Sequence, residues 1–324
     1  MRVIDVHAHV TPQCFQHAVR DGGTWHGMTA ADGELGNPKN LWTPEERIAD
    51  LDSLGVDTLA VSSTDCFYQY DKDVDTTRGI AREANDELAR LAADYPGRFV
   101  GLGTVPMQDV GAAIAELERV MVDLGMKGLM INDHVNGHTY DEPLFLPFWK
   151  AVEELGAVVL FHQFVPTLVA ARTERYFLAN SIGNLVDRAV TFGTLVFGGV
   201  MDRFPGLKLV LGHGGGYTAF GIARMDKAWE AAAIDYMDHD ARSCLDQLPS
   251  EYLSRFYYDC CTHSEATLRF LIDTVGIDQV VFGTDYPAPM VIEDAVNWVN
   301  GLASLATGEK AAILSLNPGR LLGL

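Results

Sequence analysis

Short apolar runs alternate with longer stretches of helical periodicity along the whole chain. The apolar runs have the length and composition of β-strands, and some, such as residues 157–161, are apolar at every position instead of every second one. Strands with two apolar faces are typical of a parallel sheet that is covered by helices. Eight strands are predicted, at residues 2–7, 57–62, 99–104, 127–131, 157–162, 207–212, 256–260 and 279–283.

The intervals between the predicted strands carry the periodicity of amphipathic helices. These helices are predicted at residues 44–54, 76–95, 110–124, 143–155, 184–196, 218–232, 265–275, 292–302 and 309–316. Eight consecutive βα units close naturally into a barrel, so the pattern predicts an α/β fold of the (β/α)8 TIM-barrel type. Because no linker, repeat or low-complexity tract divides the sequence, residues 1–324 are expected to form a single domain.

Two segments do not fit this alternation of strands and helices. Residues 13–41, which are rich in Gly, Asn and Asp, are too long for a simple βα loop and are interpreted as an insertion after strand one, near the mouth of the barrel. A second irregular stretch, at residues 235–252, is interpreted as an excursion between strands six and seven.

Composition and charge narrow the classes of partner. The chain has 324 residues, of which 48% are hydrophobic and 21% are charged, and its formal net charge is −20. So acidic a protein repels phosphate backbones and anionic lipid head groups, which argues against nucleic acid or a membrane as the main partner. An anionic substrate would therefore need a local cationic pocket.

The sequence also indicates a cellular compartment. Residues 1–7 lack the charged and apolar regions of a signal peptide, and the longest uncharged apolar stretch, residues 189–201, is shorter than the ~18 residues of a spanning helix. The five cysteines are an odd number, and the neighbours Cys260 and Cys261 are badly placed to pair with each other. We therefore expect a reduced, cytoplasmic protein.

The strongest local signal for chemistry is a pair of histidines at the end of the first predicted strand. His7 and His9 stand two residues apart, so in a strand their side chains point to the same face. Imidazole pairs suit Zn²⁺ and related divalent metals. Taken alone, a His-x-His pattern is equally compatible with two exposed or hydrogen-bonded histidines.

Polar residues at the ends of other predicted strands favour the metal-site interpretation. His162, His213 and Asp285 each follow or close a predicted strand. One buried histidine or aspartate at a strand end is commonly a hydrogen-bonded structural residue. Four such strand ends meet on the carboxyl-terminal face of a barrel, which is where TIM-barrel enzymes have their active sites. The sequence therefore predicts a metal centre on that face.

These segments resemble a known family. The His7-Ala8-His9 motif, His162, residues 212–216 (Gly-His-Gly-Gly-Gly) and residues 283–287 (Gly-Thr-Asp-Tyr-Pro) are similar to the amidohydrolase superfamily, in particular to its amidohydrolase-2 branch of metal-dependent decarboxylases. The resemblance extends over essentially the whole chain. It implies a metal-dependent carboxy-lyase, although a shared superfamily does not fix the substrate.

The resemblance also implies roles for the residues at the strand ends. His7, His9, His162 and Asp285 would be the metal ligands, the metal would usually be zinc with Mn²⁺ as an alternative, and His213 would act as an acid/base without binding the metal. Related hydrolases with two metals use a carbamylated lysine at a strand end. No lysine stands at the carboxyl end of any predicted strand, so one metal ion per chain is expected.

Two arginines are candidates for binding a substrate carboxylate. Arg47 lies in the first turn of a predicted helix capped by Thr43, where the helix dipole disfavours a cation; a surface pair with Asp50 is the alternative. The resemblance implies that Arg47 binds a carboxylate, a group that a planar guanidinium matches. It also implies that Arg224 reaches into a neighbouring subunit's site within a homodimer, the alternative being a solvated residue paired with Asp226.

One segment departs from the family pattern. Close relatives read His-Pro-Trp at the strand-five ligand, whereas this chain reads His162-Gln163-Phe164. Phe164 preserves an aromatic floor for a substrate, but an indole N–H is lost and the amide of Gln163 is gained. This departure leaves the exact substrate open. His263 is either a residue supporting the site or a structural one.

The leading functional hypothesis is a metal-dependent non-oxidative decarboxylase. Its substrate would be a small planar carboxylate with an amino or hydroxy group, such as 2-amino-3-carboxymuconate-6-semialdehyde or a hydroxybenzoate. His213 and Asp285 would move protons. The alternative is a mononuclear metal-dependent hydrolase or hydratase of a small acidic substrate, and a catalytically silent binding protein is the third class.

Overall fold

Eight parallel strands form one curved sheet in the computed structural model, which describes residues 1–33, 35–164, 166–232 and 245–324. The strands follow one another in chain order. They are β1 Ile4–Val10, β2 Thr58–Ser63, β3 Phe99–Gly103, β4 Gly128–Ile131, β5 Val158–Phe161, β6 Lys208–Leu211, β7 Phe256–Asp259 and β8 Val280–Val281. Backbone hydrogen bonds of 2.9 Å join Val6 N to Phe282 O and Asp285 N to His7 O, so the segment after β8 returns to β1.

Helices occupy the intervals between the strands. The described residues contain α1 Gln13–Val19, α2 Pro44–Leu54, α3 Val74–Asp94, α4 Val110–Glu118, α5 Leu146–Leu155, α6 Asn184–Phe197, α7 Val200–Arg203, α8 Thr218–Ala231, α9 Glu265–Val275, α10 Ala295–Gly301, α11 Thr307–Ala311 and α12 Asn317–Leu322. An α/β architecture with eight parallel strands and intervening helices confirms the prediction of a TIM-barrel fold.

Local sequence signals explain where several helices begin and end. Thr43 accepts a hydrogen bond from the backbone of Glu46, whose side chain binds back to Thr43, which is the capping box that the sequence predicts for α2. Helices α2 and α5 end at Gly55 and Gly156, which both adopt the left-handed conformation that glycine tolerates. These signals place the bounds of α2 at the predicted residues.

The core lies between the sheet and the surrounding helices. Every residue of β2, β3, β4 and β5 is buried, which is the two-sided burial indicated by their apolar runs. Helix α3 contributes Ile80, Ala84 and Leu88, one turn apart along a single face. The closed core leaves the strand ends as the place where polar side chains can converge.

Two of the differences between the structure and the sequence-based expectation concern the start of the barrel. Strand β1 continues to Val10 because His9 pairs with Ser62 of β2 and also hydrogen-bonds to Tyr286 O, so both histidines of the His-x-His pair are strand residues. The segment at residues 13–41 contains helix α1 and a 3-10 turn at Pro38–Leu41, which the composition did not predict. The expected excursion at residues 235–252 falls largely on residues 233–244, which lie outside the described residues.

Candidate metal centre and active site

Four histidines surround one buried carboxylate at the carboxyl ends of β1, β5, β6 and β8. The Oδ1 atom of Asp285 lies 3.3 Å from His7 Nε2, 3.1 Å from His9 Nε2 and 3.5 Å from His162 Nε2. The Oδ2 atom of Asp285 lies 3.5 Å from His213 Nε2. The structure thus brings together all five residues that the sequence assigned to the metal and to proton transfer.

The chemistry of this cluster fits a divalent metal ion. His7 Nε2 and both ring nitrogens of His162 are buried without a hydrogen-bond partner among the described residues, and such atoms are costly to bury unless something binds them. One potential ligand atom from each of His7, His162, His213 and Asp285 lies within 4.8 Å of the others. Imidazole nitrogens together with a carboxylate oxygen suit zinc or manganese.

The contacts leave two ways to complete the ligand set. The group of mutually close ligand atoms includes His213 and omits His9, whereas the sequence-based ligand set has His9 and treats His213 as an acid/base. The contacts with Asp285 favour the sequence-based set instead. His7, His9 and His162 all face its Oδ1 atom, whereas His213 faces its Oδ2 atom. The assignment of individual ligands therefore stays a prediction.

Asp259, at the end of β7, is a buried carboxylate that the sequence reasoning missed. Its Oδ2 lies 2.6 Å from His7 Nδ1 and accepts a hydrogen bond from His213 N at 2.9 Å, while its Oδ1 accepts one from Gly214 N at 2.7 Å. A carboxylate on the far nitrogen of a ligating histidine fixes the tautomer and the ring orientation. An acid inside the otherwise apolar predicted strand at residues 256–260 was the available signal.

The electrostatics of the cluster follow from burial and from these contacts. Burial lowers the pKa of His7, but the hydrogen bond with Asp259 and the nearby negative charge of Asp285 outweigh it and raise that pKa to about 10. Burial lowers the pKa of His9 and, further, that of His162, which favours the neutral imidazoles that bind metals. Burial opposes ionisation of Asp285, yet its histidine neighbours hold its pKa well below the usual range.

The backbone after β6 and β8 turns sharply to present the site residues. His213 and Asp285 have φ values of 56° and 65°, in the left-handed region that most residues avoid. Gly216 also has a positive φ of 58°, and a Cβ atom there would lie 2.3 Å from Leu185 O, so no larger residue fits. Unfavourable backbone angles at residues that meet in one site are typical of functional loops.

The cluster stands between two cavities. A cavity of about 460 Å³ is lined by His9, His162 and Asp285 together with Gln163 and the half-buried Phe164, so the predicted aromatic floor residue accompanies the ligands. A second cavity, of about 920 Å³, contacts His213. Its lining is mostly apolar and includes Tyr217, Phe220, Phe270 and His263.

Arg47 is buried instead of lying at the surface, so it does not form the alternative surface ion pair. Its Nη2 donates to Lys39 O at 2.9 Å, and its guanidinium carbon lies 5.3 Å from the centre of the Tyr286 ring. Its Nη1 is buried without a hydrogen-bond partner in the described part of the chain. Arg47 lines a third cavity, of about 600 Å³, and is not among the residues that line the cavity of His162.

Arg224 is exposed on α8 and lies outside the cavities that contact the cluster. Within the described residues it forms no ion pair with Asp226, whose Oδ1 instead accepts a hydrogen bond from Ser250 N at 2.8 Å. The alternative pairing is therefore not formed. The chain does not bring Arg224 to its own metal cluster.

A parallel α/β barrel with a histidine and carboxylate cluster at its strand ends defines a class of metal-dependent barrel enzymes. Comparison with known proteins identifies the family within that class. The family model described as amidohydrolase matches residues 4–324, and the chain belongs to this family. The resemblance stated from the sequence is confirmed.

Relatives with named activities are mostly decarboxylases. The chain is 29% identical to 2-amino-3-carboxymuconate-6-semialdehyde decarboxylase of Dictyostelium discoideum, over 99% of this chain and 91% of that protein. It is 30% identical to gamma-resorcylate decarboxylase of a Rhizobium species, over 86% of this chain and 87% of that protein. A 2-keto-4-carboxy-3-hexenedioate hydratase of a Sphingobium species is 26% identical over 63% of this chain and 58% of that protein.

Solved structures give the same result. The 5-carboxyvanillate decarboxylase of Sphingomonas paucimobilis superposes with a TM-score of 0.85 at 30% identity, covering 100% of this chain and 99% of that one. A dihydroxybenzoic acid decarboxylase of a Polaromonas species, with bound manganese and the inhibitor 2-nitroresorcinol, has a TM-score of 0.84 at 25% identity, covering 100% and 97%. The prediction of a carboxy-lyase family is thereby confirmed. Among the described residues, no helix is long and apolar enough to cross a membrane.

Proposed function

We propose that this chain is a metal-dependent, non-oxidative decarboxylase of a small planar carboxylate that carries an amino or hydroxy group. The observation that carries the proposal is the buried cluster of four imidazoles around Asp285, which opens on a cavity of about 460 Å³ with an aromatic wall. That volume suits a single ring. The named decarboxylase relatives, which match over most of the chain, support the reaction type.

We propose one divalent ion per chain, held by His7, His9, His162 and Asp285. Zinc is the expected metal, and Mn²⁺ is the alternative, supported by the manganese in the related Polaromonas enzyme. When bound, such an ion would polarise the substrate carboxylate and its neighbouring oxygen or nitrogen. His7 Nε2 and both ring nitrogens of His162, which are buried without a hydrogen-bond partner among the described residues, support this assignment.

The reaction replaces a C–CO2⁻ bond with a C–H bond, so the chain must supply a proton to carbon. Asp285 and His213 are the candidates, because His213 Nε2 lies 3.5 Å from Asp285 Oδ2 and can reload that carboxylate with a proton. His213 also lines the larger cavity, of about 920 Å³. Arg47, whose Nη1 is buried without a hydrogen-bond partner among the described residues, stays a predicted ligand for a substrate carboxylate, although it lines a different cavity from His162.

The active unit is proposed to be a homodimer in which Arg224 enters the partner's site. The support is an apolar surface beside α8 that water would disfavour in a monomer: Phe220 is 82% exposed and Phe270 is 46% exposed. Arg224 follows Phe220 by one helical turn, so a second copy seated on this surface would meet the guanidinium. The exposed apolar side chains favour burial in such an interface.

The same proposal covers the domain organisation, the cellular compartment and the partners of the chain. Residues 1–324 would form one barrel domain, and residues 13–41 would be an insertion that covers part of its mouth, since Asn37 and Asn40 line the cavity of His162. The described cysteines are all free, which supports a reducing, cytoplasmic compartment. Small carboxylates, and neither nucleic acid nor membrane, are the proposed partners.

A product assay tests the reaction. The metal-loaded protein is incubated with 2-amino-3-carboxymuconate-6-semialdehyde and with a panel of hydroxybenzoates, and CO2 release and product mass are measured together. The expected result is CO2 release with the loss of one carboxyl group from at least one substrate and no addition of water. A product that gains water without CO2 release would contradict the proposal.

A hydratase is the second candidate, because one named relative has that activity. The same metal cluster could activate water for addition to a double bond. Incubation with an unsaturated dicarboxylate in H2¹⁸O distinguishes the two, since a hydratase incorporates the label into its product and a decarboxylase leaves the substrate skeleton unlabelled.

A further inference from the structure

A buried polar chain lies behind the wall of the cavity that contains His162. Arg188, in α6, is fully buried; its Nη1 lies 2.5 Å from Asp133 Oδ1 and its Nη2 lies 2.5 Å from Gln163 Oε1. Asp133 Oδ1 also accepts a hydrogen bond from Thr191 Oγ1 at 2.5 Å. The chain therefore runs from a carboxylate through a guanidinium to a carboxamide that borders the cavity.

The chemistry of this contact fixes the orientation of the Gln163 amide. A guanidinium has only donors, so the group of Gln163 that faces Arg188 must be the oxygen. The amide nitrogen then points away from Arg188, and among the described residues it has no hydrogen-bond partner. Because Gln163 lines the cavity of about 460 Å³, its two N–H groups are available to a ligand there.

The surroundings hold this amide in place before any ligand arrives. Asn132 Oδ1 accepts hydrogen bonds from Asp133 N at 2.9 Å and from Phe164 N at 2.8 Å, which ties the segment after β4 to the residue that follows Gln163. Arg188 is paired and cannot be displaced without leaving a buried charge unpaired. A preorganised donor is more selective than a mobile one, since little rotamer entropy is lost on binding.

We propose that Gln163 is a specificity-determining residue that donates a hydrogen bond to an oxygen substituent of the substrate, and that Arg188 positions it. Gln163 directly follows His162 in the chain and lines the same cavity as His9, His162 and Asp285. The substituent it reaches would be ortho to the departing carboxylate. This inference rests on the proposed function and narrows its substrate class to rings or planar chains with an oxygen acceptor, instead of hydrogen or an amino group, at that position.

A pair of unreactive probes tests the inference by binding instead of turnover. Isothermal titration calorimetry compares 2-nitroresorcinol with 2-nitrophenol, which lacks one ortho hydroxyl, on manganese-loaded protein. Wild type should prefer 2-nitroresorcinol, and in Gln163→Leu this preference should fall by roughly 3- to 10-fold, the effect of one neutral hydrogen bond. Affinity for 2-nitrophenol and the metal content should stay unchanged.

Gln163→Glu separates recognition from structural support. A carboxylate keeps the contact with Arg188, so the fold and metal content are preserved, but it turns an acceptor oxygen toward the cavity. The preference for 2-nitroresorcinol should then also fall, which a merely structural role would not produce. Asn300→Asp, which also exchanges an amide for a carboxylate but lies at an exposed residue of α10 outside the cavities described, is the matched control and should keep the wild-type preference.

The outcomes separate this inference from the proposed function. Wild type that binds neither probe would overturn this inference, whereas the proposed function is decided separately by the CO2 assay. Wild type, Gln163→Leu and Gln163→Glu with the same preference would overturn the inference alone. If Gln163→Leu fails to fold, the result with Gln163→Glu decides.

Discussion

At the scale of single residues, two buried carboxylates have different places in the site. Asp285 lies at the centre, where the four imidazoles contact its two oxygens. Asp259 stands behind His7 and joins that ring to the backbone at the start of the Gly-rich turn. Substitutions should therefore distinguish residues that would bind the metal from residues that orient a ligand or move a proton.

Loss of a ligand should remove the metal. Purified protein should contain close to one divalent ion per chain, and His7→Ala or Asp285→Ala should greatly reduce that occupancy, because each removes a donor from the cluster. Inductively coupled plasma mass spectrometry measures the content. His17→Ala, at an exposed histidine of α1, is the control and should keep its metal. Full activity in a rigorously metal-free preparation would contradict the proposed role.

Replacement of His213 should affect the rate more than the metal. As an acid/base it should contribute about 10² to 10⁴ in kcat, yet His213→Ala should retain its ion. Metal content and turnover are measured on the same preparation. Metal loss equal to that of His7→Ala would instead assign His213 as a ligand, in agreement with its place among the four mutually close donors.

Asp259→Asn should weaken metal binding without removing a ligand. The amide keeps the size of the side chain but loses the negative charge that orients His7, and loss of such a partner typically costs 10- to 100-fold in metal affinity. Competition with a chelator gives the affinity. Asp273→Asn, at an exposed ion pair with Arg269, should leave it unchanged. Equal affinities for the two variants would exclude an orienting role for Asp259.

At the scale of secondary-structure elements, the turn between β6 and α8 is the most constrained segment of the site. Gly216→Ala should lower the free energy of unfolding by about 1 to 3 kcal/mol. The reason is that φ is positive at this residue and a Cβ atom would lie 2.3 Å from Leu185 O. Gly221→Ala, in α8 with open space around it, should be neutral or stabilising by up to about 1 kcal/mol. Urea denaturation measures both, and equal stabilities would refute the steric argument.

Elements with a local sequence signal could be predicted, whereas contacts between residues that are distant in the chain could not. The strands and α2 were predictable because apolar runs and the capping box are local signals. The histidines and Asp285 at the strand ends were predicted too, but Asp259 at the end of β7 was not. Helix α1 was missed because its sequence, Gln-Cys-Phe-Gln-His-Ala-Val, has weak helix propensity and depends on packing of Phe15 in a small cluster. The contact of Arg188 with Gln163 joins residues 25 apart in the chain, and no local pattern records it.

At the scale of the whole molecule, the position of Arg224 bears on assembly. Arg224 is exposed on α8, outside the cavities that contact the cluster, and the apolar side chains of Phe220 and Phe270 lie nearby on the same surface. If a two-fold axis passes through this surface, each copy can present its Arg224 to the other's site. The proposed dimer then carries two composite sites.

Mixing two inactive variants tests this arrangement. Arg224→Ala and His213→Ala homodimers should each have little activity, whereas their mixture should recover about one quarter of the wild-type rate after random exchange, because half of the dimers are mixed and one of their two sites receives both intact residues. Subunit exchange is verified with differently tagged chains. No recovery despite verified exchange would show that Arg224 acts within its own chain or has no part in the reaction. A mixture of Arg224→Ala with Arg224→Lys is the control, since neither chain supplies the arginine and a shared site cannot be restored.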